Sequence, residues 1–228
     1  MWHTRRVVFS AALACALAVA LTASAQSGVH PVSGRRFAPV MGAGGAAWLD
    51  RSEREMEEAP EKALDALDIA KGSTVADVGA GSGYFTVRLA ARVGESGRVL
   101  ATDLQPEMLD LLRTRLTDRH LTNVTLIQGA VDDPKLPPSS VDLVLLVDVY
   151  HEFSAPQRML QRIREALKPD GRLVLLEYRK EDPGVPIRIE HKMTVAEAKA
   201  EVEAERFHLA RVDERLPRQH ILIFTISP

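Results

Sequence analysis

The stretch Thr74-Val-Ala-Asp-Val-Gly-Ala-Gly-Ser-Gly-Tyr-Phe-Thr86 leaves this chain few ways to fold. Val75, Ala76 and Val78 form the short apolar run of a strand covered on both faces. Gly79, Gly81 and Gly83 then stand at alternate positions, where the backbone can take positive φ and a ligand can approach with no Cβ in its way. From Tyr84 to Arg92 the apolar residues Phe85, Val87, Leu89 and Ala90 keep helical spacing. A strand, a tight glycine turn and a helix predict a binding corner at the carboxyl end of a parallel strand.

The spacing narrows the ligand. A dinucleotide fingerprint needs G-x-G-x-x-G, and here the third glycine comes one residue early. A phosphate loop needs Gly-Lys-Ser/Thr, which is absent. Asp77 sits two residues before the first glycine, where an acid faces a positively charged ligand. The bland alternative is a glycine turn with no ligand. Arg98 to Thr102 is a second buried strand, ending at Asp103. Asp103 follows the glycines by about twenty residues, the separation at which an acid meets a ribose in nucleotide-binding folds. Its other reading is a helix cap for Pro106 to Leu116.

Further strands are expected at Val124 to Gln128, Val141 to Val147, Leu173 to Tyr178, near Phe207 to Val212 and near His220 to Ile226. Amphipathic helices are expected over Pro156 to Leu167 and about Val195 to Ala204, with Lys168-Pro-Asp-Gly171 as a stop and turn. Strands alternating with helices predict a doubly wound α/β sheet. No helix separates the last two strands, so they should pair antiparallel.

The first residues read as an address. Arg5 and Arg6 precede an apolar run from Val7 to Leu21, and Ala23-Ser-Ala25 is a small-residue cleavage site before Gln26. Residues 1–25 are thus expected to be a signal peptide and the mature protein to be exported, to the periplasm. Thr4-Arg-Arg-Val-Val-Phe9 also resembles a twin-arginine signal. The alternatives are an ordinary positive n-region and an uncleaved anchor. The only cysteine, Cys15, lies inside the apolar run, so a mature chain would carry none. Residues 26–47 are Gly-, Pro- and Ser-rich without periodicity and read as a flexible or extended lead-in to a domain over 48–228. The charged run Asp50 to Ala59 reads as a solvated helix face. A formal net charge of −2, with no basic stripe, argues against a nucleic-acid partner and for a small-molecule substrate.

The acid, the three glycines and Asp103 together resemble motif I and its sequel in the class I S-adenosylmethionine (AdoMet) methyltransferases, over about residues 60 to 228. The resemblance implies a Rossmann-like, doubly wound seven-stranded sheet with the last strand antiparallel. It implies AdoMet as cofactor, held by Asp77, Gly79, Ala80, Gly81 and Gly83 and, beyond the second strand, by Asp103 and Leu104. In many members an acid follows the glycine after the third strand and meets the adenine amino group. Here Ala130 follows Gly129, so Asp132 is the substitute, with Val131 as an apolar or backbone contact, unless Asp132 is a turn residue.

Asp148-Val-Tyr-His-Glu-Phe-Ser154, after the apolar fourth strand, looks like the segment that carries a catalytic histidine in many small-molecule O-methyltransferases. His151 is the expected general base, with Tyr150 beside it, Glu152 as its orienting group and Asp148 on the cofactor side. The other reading of His151 is a loop cap or a cofactor contact. No metal is expected, because His151-Glu152 lacks i, i+4 spacing. Glu177, Tyr178 and Arg179 are expected at the substrate pocket, and Arg218, Gln219 and His220 in a surface turn. Two other functions compete with methyl transfer to a small molecule. One is an exported protein of the same fold that binds AdoMet or another nucleoside without turnover. The other is a nicotinamide dehydrogenase, which the glycine spacing disfavours.

Overall fold

The structure, a computed structural model, describes residues 28–227. The expected signal peptide, its arginine pair and the cleavage site before Gln26 lie outside the described residues. Among the described residues no helix is long and apolar enough to cross a membrane.

Seven strands form one sheet. They are β1 (Thr74–Val78), β2 (Arg98–Asp103), β3 (Val124–Gln128), β4 (Val141–Val147), β5 (Leu167–Tyr178), β6 (Phe207–Asp213) and β7 (Gln219–Ile226). Their order is β3-β2-β1-β4-β5-β7-β6. The first five are parallel, and β7 runs antiparallel to both β5 and β6. This is the Rossmann-like methyltransferase sheet that the resemblance implied. Helices α1 (Ala46–Leu49), α2 (Arg54–Glu58) and α3 (Pro60–Asp65) precede β1, and α4 (Thr86–Val93) and α5 (Pro106–Asp118) follow β1 and β2. Helix α6 (Pro156–Ala166) follows β4, and α7 (Val195–Glu203) follows β5.

The period of two along each strand sorts the core into two layers. Val75, Val99, Leu143, Leu145, Val174 and Leu176 turn to one face and pack with Leu64, Leu67, Phe85 and Leu89 of the segments around α3 and α4. Ala76, Val78, Leu100, Val144, Leu146 and Leu175 turn to the other and pack with Leu160 and Ile163 of α6 and Val202 of α7. Strand β5 begins earlier than its apolar run suggests. Val141 pairs with Leu167 and Leu143 with Arg172, so Lys168-Pro-Asp-Gly171 bulges out of the ladder without ending it.

Two charged or polar stretches are built in more tightly than their composition suggests. The lead-in, expected to be flexible or extended, folds back onto the domain. Val29 bridges to Arg36, and His30 and Arg35 are buried. Arg35 holds Glu201 of α7 through Nε (3.0 Å) and Nη2 (2.9 Å), and its Nη1 donates to the carbonyl of His151 (3.0 Å). Ala38 N donates to the same carbonyl (3.0 Å). The run Asp50 to Ala59, expected to be a solvated face, buries Arg54 and Glu58, which pair at 2.6 Å. Tyr178 Oη donates to Glu58 at 2.7 Å. A highly charged run is expected at a solvated face, but at i, i+4 the two charges neutralise each other and go inside together.

A buried pair broken on one side leaves its partner desolvated. Glu201→Gln should therefore lower the unfolding free energy by about 3–5 kcal/mol, because Arg35 stays charged and buried. Urea denaturation of the two proteins measures this. A loss under about 1 kcal/mol, the range of exposed pairs, would mean that the lead-in is not clamped in this way.

Candidate active site

The order of strands reverses between β1 and β4, and at such a point the loops leaving neighbouring strands diverge and open a crevice. A cavity of about 520 Å³ lies there. Its wall is built from the loops after β1, β2, β3 and β4 and from the N-terminal segment with α1 and α2. The loop between β5 and α7 closes another side with Pro186, Ile187, Arg188 and His191.

Local geometry explains the glycines. Gly79 has φ +75°, and a Cβ there would stand 2.4 Å from Val149 Cγ2. Gly83 has φ +88°, and a Cβ there would stand 2.1 Å from Leu112 Cδ1. The first glycine thus lets the turn pass under the β4 loop, and the third lets α5 approach. Gly79 and Gly81 line the cavity. Gly83 and Ala80, expected at the cofactor, do not: Gly83 serves packing, and Ala80 N is turned onto the sheet, donating to the Thr102 carbonyl at 3.1 Å.

Asp103 and Leu104 line the cavity at the end of β2. Asp103 Oδ2 accepts from Gly81 N (2.9 Å) and Oδ1 from Gln105 N (2.9 Å). Burial pushes its carboxyl up, against the pull of these backbone donors. Asp77 is also buried, but it lies behind the turn and away from the cavity wall, with Oδ2 accepting from Thr86 Oγ1 at 2.6 Å. Burial raises it to about 6, with Thr86 opposing and Asp103 adding to the rise. Its role in this geometry is to fix the start of α4. Asp132 is a correction: it is exposed and outside the wall, in the turn where Ala130 bridges to Asp133, while its neighbour Val131 lines the cavity.

The loop after β4 forms another part of the wall. Asp148 lines the cavity with φ +49°. Its Oδ2 accepts from Gln219 Nε2 (2.7 Å), while Oδ1 is buried with no hydrogen-bond partner among the described residues. Burial first, and then Glu58 and Glu177, push this carboxyl well above the usual range, against Arg54. Tyr150 is a correction: it is fully buried in the core under Arg35 and outside the cavity wall, and burial pushes its phenol up. The 3-10 turn Tyr150–Glu152 sends consecutive side chains in different directions, so only His151 and Glu152 reach the cavity.

His151 is oriented by Glu177, at the end of β5, where Glu152 was expected to do so. Nδ1 stands 2.6 Å from Glu177 Oε2, and Glu177 Oε1 accepts from Tyr150 N (3.0 Å). A carboxylate only accepts, so the proton sits on Nδ1 and Nε2 is left with its lone pair. Nε2 faces His191 Nδ1 at 3.1 Å. Burial and the neighbouring His151 hold His191 below the usual histidine range. Glu152 Oε1 accepts from Met41 N (3.3 Å) and lies 3.9 Å from His191 Nδ1. Burial pushes Glu152 up to about 7, while His151 and Met41 N draw it down.

Of the other expected pocket residues, Tyr178 lines the cavity, Glu177 sits behind His151, and Arg179 turns away to Glu214 (2.6 Å). Gln219 and His220, expected in a surface turn, are buried. His220 bridges Glu214 (2.6 Å) and Glu181 (3.0 Å), and Arg218 pairs with Glu57 (2.8 Å). His191, Arg54 and Met41 were not expected at the site. His191 lies 40 positions from His151 in a loop without motif or period, so nothing in the sequence marked it.

These residues suit AdoMet. Asp103 offers paired acceptors for ribose hydroxyls, and Leu104, Met108 and Val131 offer an apolar slot for a purine. The orphaned Asp148 Oδ1 and the Arg54 guanidinium on the same wall suit the amino and carboxylate groups of a methionine half.

Residues 75–171 match a family described as a methyltransferase domain. Over 118 residues the chain is 32% identical to the ubiquinone/menaquinone biosynthesis C-methyltransferase UbiE of Azotobacter vinelandii, covering 51% of this chain and 47% of that protein. To UbiE of Psychromonas ingrahamii it is 29% identical over 116 residues, covering 50% and 46%. The chain thus spans about half the length of the curated relatives it matches. A SAM-dependent methyltransferase structure from Aquifex aeolicus superposes with a TM-score of 0.78 at 26% identity, covering 82% of this chain and 100% of that one. In sheet order, and over residues 75–171, the chain is similar to AdoMet-dependent methyltransferases, and the lining of the cavity suits AdoMet as cofactor.

Proposed function

We propose that the protein transfers the methyl group of AdoMet to a small-molecule acceptor held against His151. One observation carries this reading: Asp103 and the Glu177-backed His151 line a single cavity, about 520 Å³ in volume. That volume is in the range of about 300–1,000 Å³ typical of small-molecule sites. The acceptor side is apolar, with Val40, Met41, Pro186 and Ile187 around His151 and His191.

Bound AdoMet supplies a methyl group on a positively charged sulfur, electrophilic toward an electron pair in line with it. On transfer, the acceptor would form the new bond to the methyl carbon, the S–C electron pair would stay on sulfur, and the acceptor would give up a proton. His151 is the group placed to draw that proton away through Nε2, because Glu177 fixes the ring and neutralises the charge that would develop on it. The apolar walls exclude water, which strengthens both effects. The matched relatives are named C-methyltransferases of ubiquinone and menaquinone biosynthesis, and an acceptor with an acidic proton next to the reacting atom fits this arrangement.

Two substitutions separate the halves of the site. Asp103→Ala should weaken AdoMet binding by about 10–100-fold, the loss of about 1.5–3 kcal/mol of charge-assisted hydrogen bonding, as read by calorimetric titration. Unchanged affinity in a folded variant would take Asp103 out of the site. His151→Gln should lower methyl transfer from labelled AdoMet by about 10²–10⁴-fold and leave AdoMet affinity nearly intact. Affinity falling together with rate would make His151 a cofactor contact.

A further inference from the structure

We propose that His151, His191 and Glu152 bind a divalent transition-metal ion of the zinc class on the acceptor wall of the cavity. His151 Nε2, His191 Nδ1 and Glu152 Oε1 are the ligand atoms, and one ligand atom from each residue lies within 4.8 Å of the others. The two nitrogens are 3.1 Å apart. Nitrogens bound to zinc at about 2.0–2.1 Å and at a near-tetrahedral angle stand about 3.3 Å apart, so the rings need almost no movement. The rings meet edge to face, at 87° between planes, with their centroids 5.1 Å apart.

The support around the cluster has the form that metal ligands require. Glu177, fully buried, takes the other ring proton of His151 at 2.6 Å, the carboxylate–histidine arrangement that fixes tautomer and basicity in metal sites. The main chain at His151 is fixed through its carbonyl by Arg35 and Ala38. Glu152 Oε1 is fixed by Met41 N. His191 closes the 3-10 turn Ile189–His191, and two residues on, Met193 N donates to the Tyr178 carbonyl at the end of β5 and its carbonyl accepts from Lys180 N. Two histidines and one carboxylate, all lining the cavity, hold an ion on three sides and leave its remaining positions facing the acceptor.

This deepens the reading of the cavity wall as the acceptor side. With the ion in place, the Nε2 lone pair is given to the metal, and His151 takes the acceptor's proton itself only in the metal-free protein. A coordinated hydroxyl or enol would then lose its proton to solvent water near neutral pH, since a bound divalent ion lowers the pKa of its oxygen ligand.

Zinc titrated calorimetrically into chelator-treated full-length protein tests the site, with cobalt absorption as a geometric readout. One equivalent should bind, and cobalt should give the intense visible bands of a four-coordinate site. His191→Gln should weaken zinc by more than about 100-fold and Glu177→Gln by about 10–100-fold, while His208→Gln, at an exposed position, changes nothing. AdoMet titration of the same samples shows that each variant is folded. Zinc affinity equal in wild type and His191→Gln would overturn the proposal, as would a loss that follows His208. Absent AdoMet binding with zinc binding intact would instead overturn the methyltransferase reading.

Discussion

Acidic side chains gathered at one edge of the sheet govern this molecule. Asp77 and Glu177 are next to last in β1 and β5, Asp103 ends β2 and Asp148 follows β4, because parallel strands deliver all their carboxyl ends to the same side. Three of the four residues are buried, and in the fourth, Asp148, an oxygen atom is. Removing carboxylates from water and placing them near each other is costly, and the upward shifts of Asp77, Asp103 and Asp148 record it. Local donors offset part of the cost: Thr86 at Asp77, the Gly81 and Gln105 amides at Asp103, Gln219 at Asp148, and His151 with the Tyr150 amide at Glu177. The remainder is a negative potential in a low-dielectric crevice, which a sulfonium and an ammonium group on one ligand would relieve.

The N-terminal segment completes that edge. Arg35 reaches across to Glu201 and to the His151 carbonyl, so the segment that covers the cavity also fixes the main chain of the loop after β4. Met41 N on Glu152 and Gln105 Nε2 on the Met41 carbonyl (2.9 Å) tie the same segment to both sides of the crevice. Arg54 and Glu58 do the equivalent from α2, joining the crevice floor to Tyr178 at the end of β5. The helices before β1 are therefore part of the binding site as much as the glycine turn is.

What the sequence made legible follows from periodicity and fixed spacing. The strands of the sheet, the glycine turn and Asp103 lie within segments whose apolar pattern and length leave one placement. The same pattern is silent about direction within a turn. Tyr150 and His151 are neighbours in sequence, yet one enters the core and the other the cavity. Val131 lines the cavity as expected, while Asp132, the expected acidic contact, stays outside the wall in the turn where Ala130 bridges to Asp133. Contacts over long separations left no trace at all: Arg35 to Glu201, His151 to Glu177, and His151 to His191 are made by folding and carry no motif. Arg54 and Glu58 show that charge spacing alone does not separate a solvated face from a buried pair.

The proposed reaction requires the cofactor to lie with its ribose at Asp103 and its sulfur toward the β4 loop. A crystal structure of the protein with the demethylated cofactor, S-adenosylhomocysteine, reads that direction without needing the acceptor. The ribose hydroxyls should meet the Asp103 carboxylate, and the sulfur should face His151 across an open space large enough for an acceptor atom. A nucleoside bound away from Asp103, or a sulfur turned from His151 toward another wall, would contradict it.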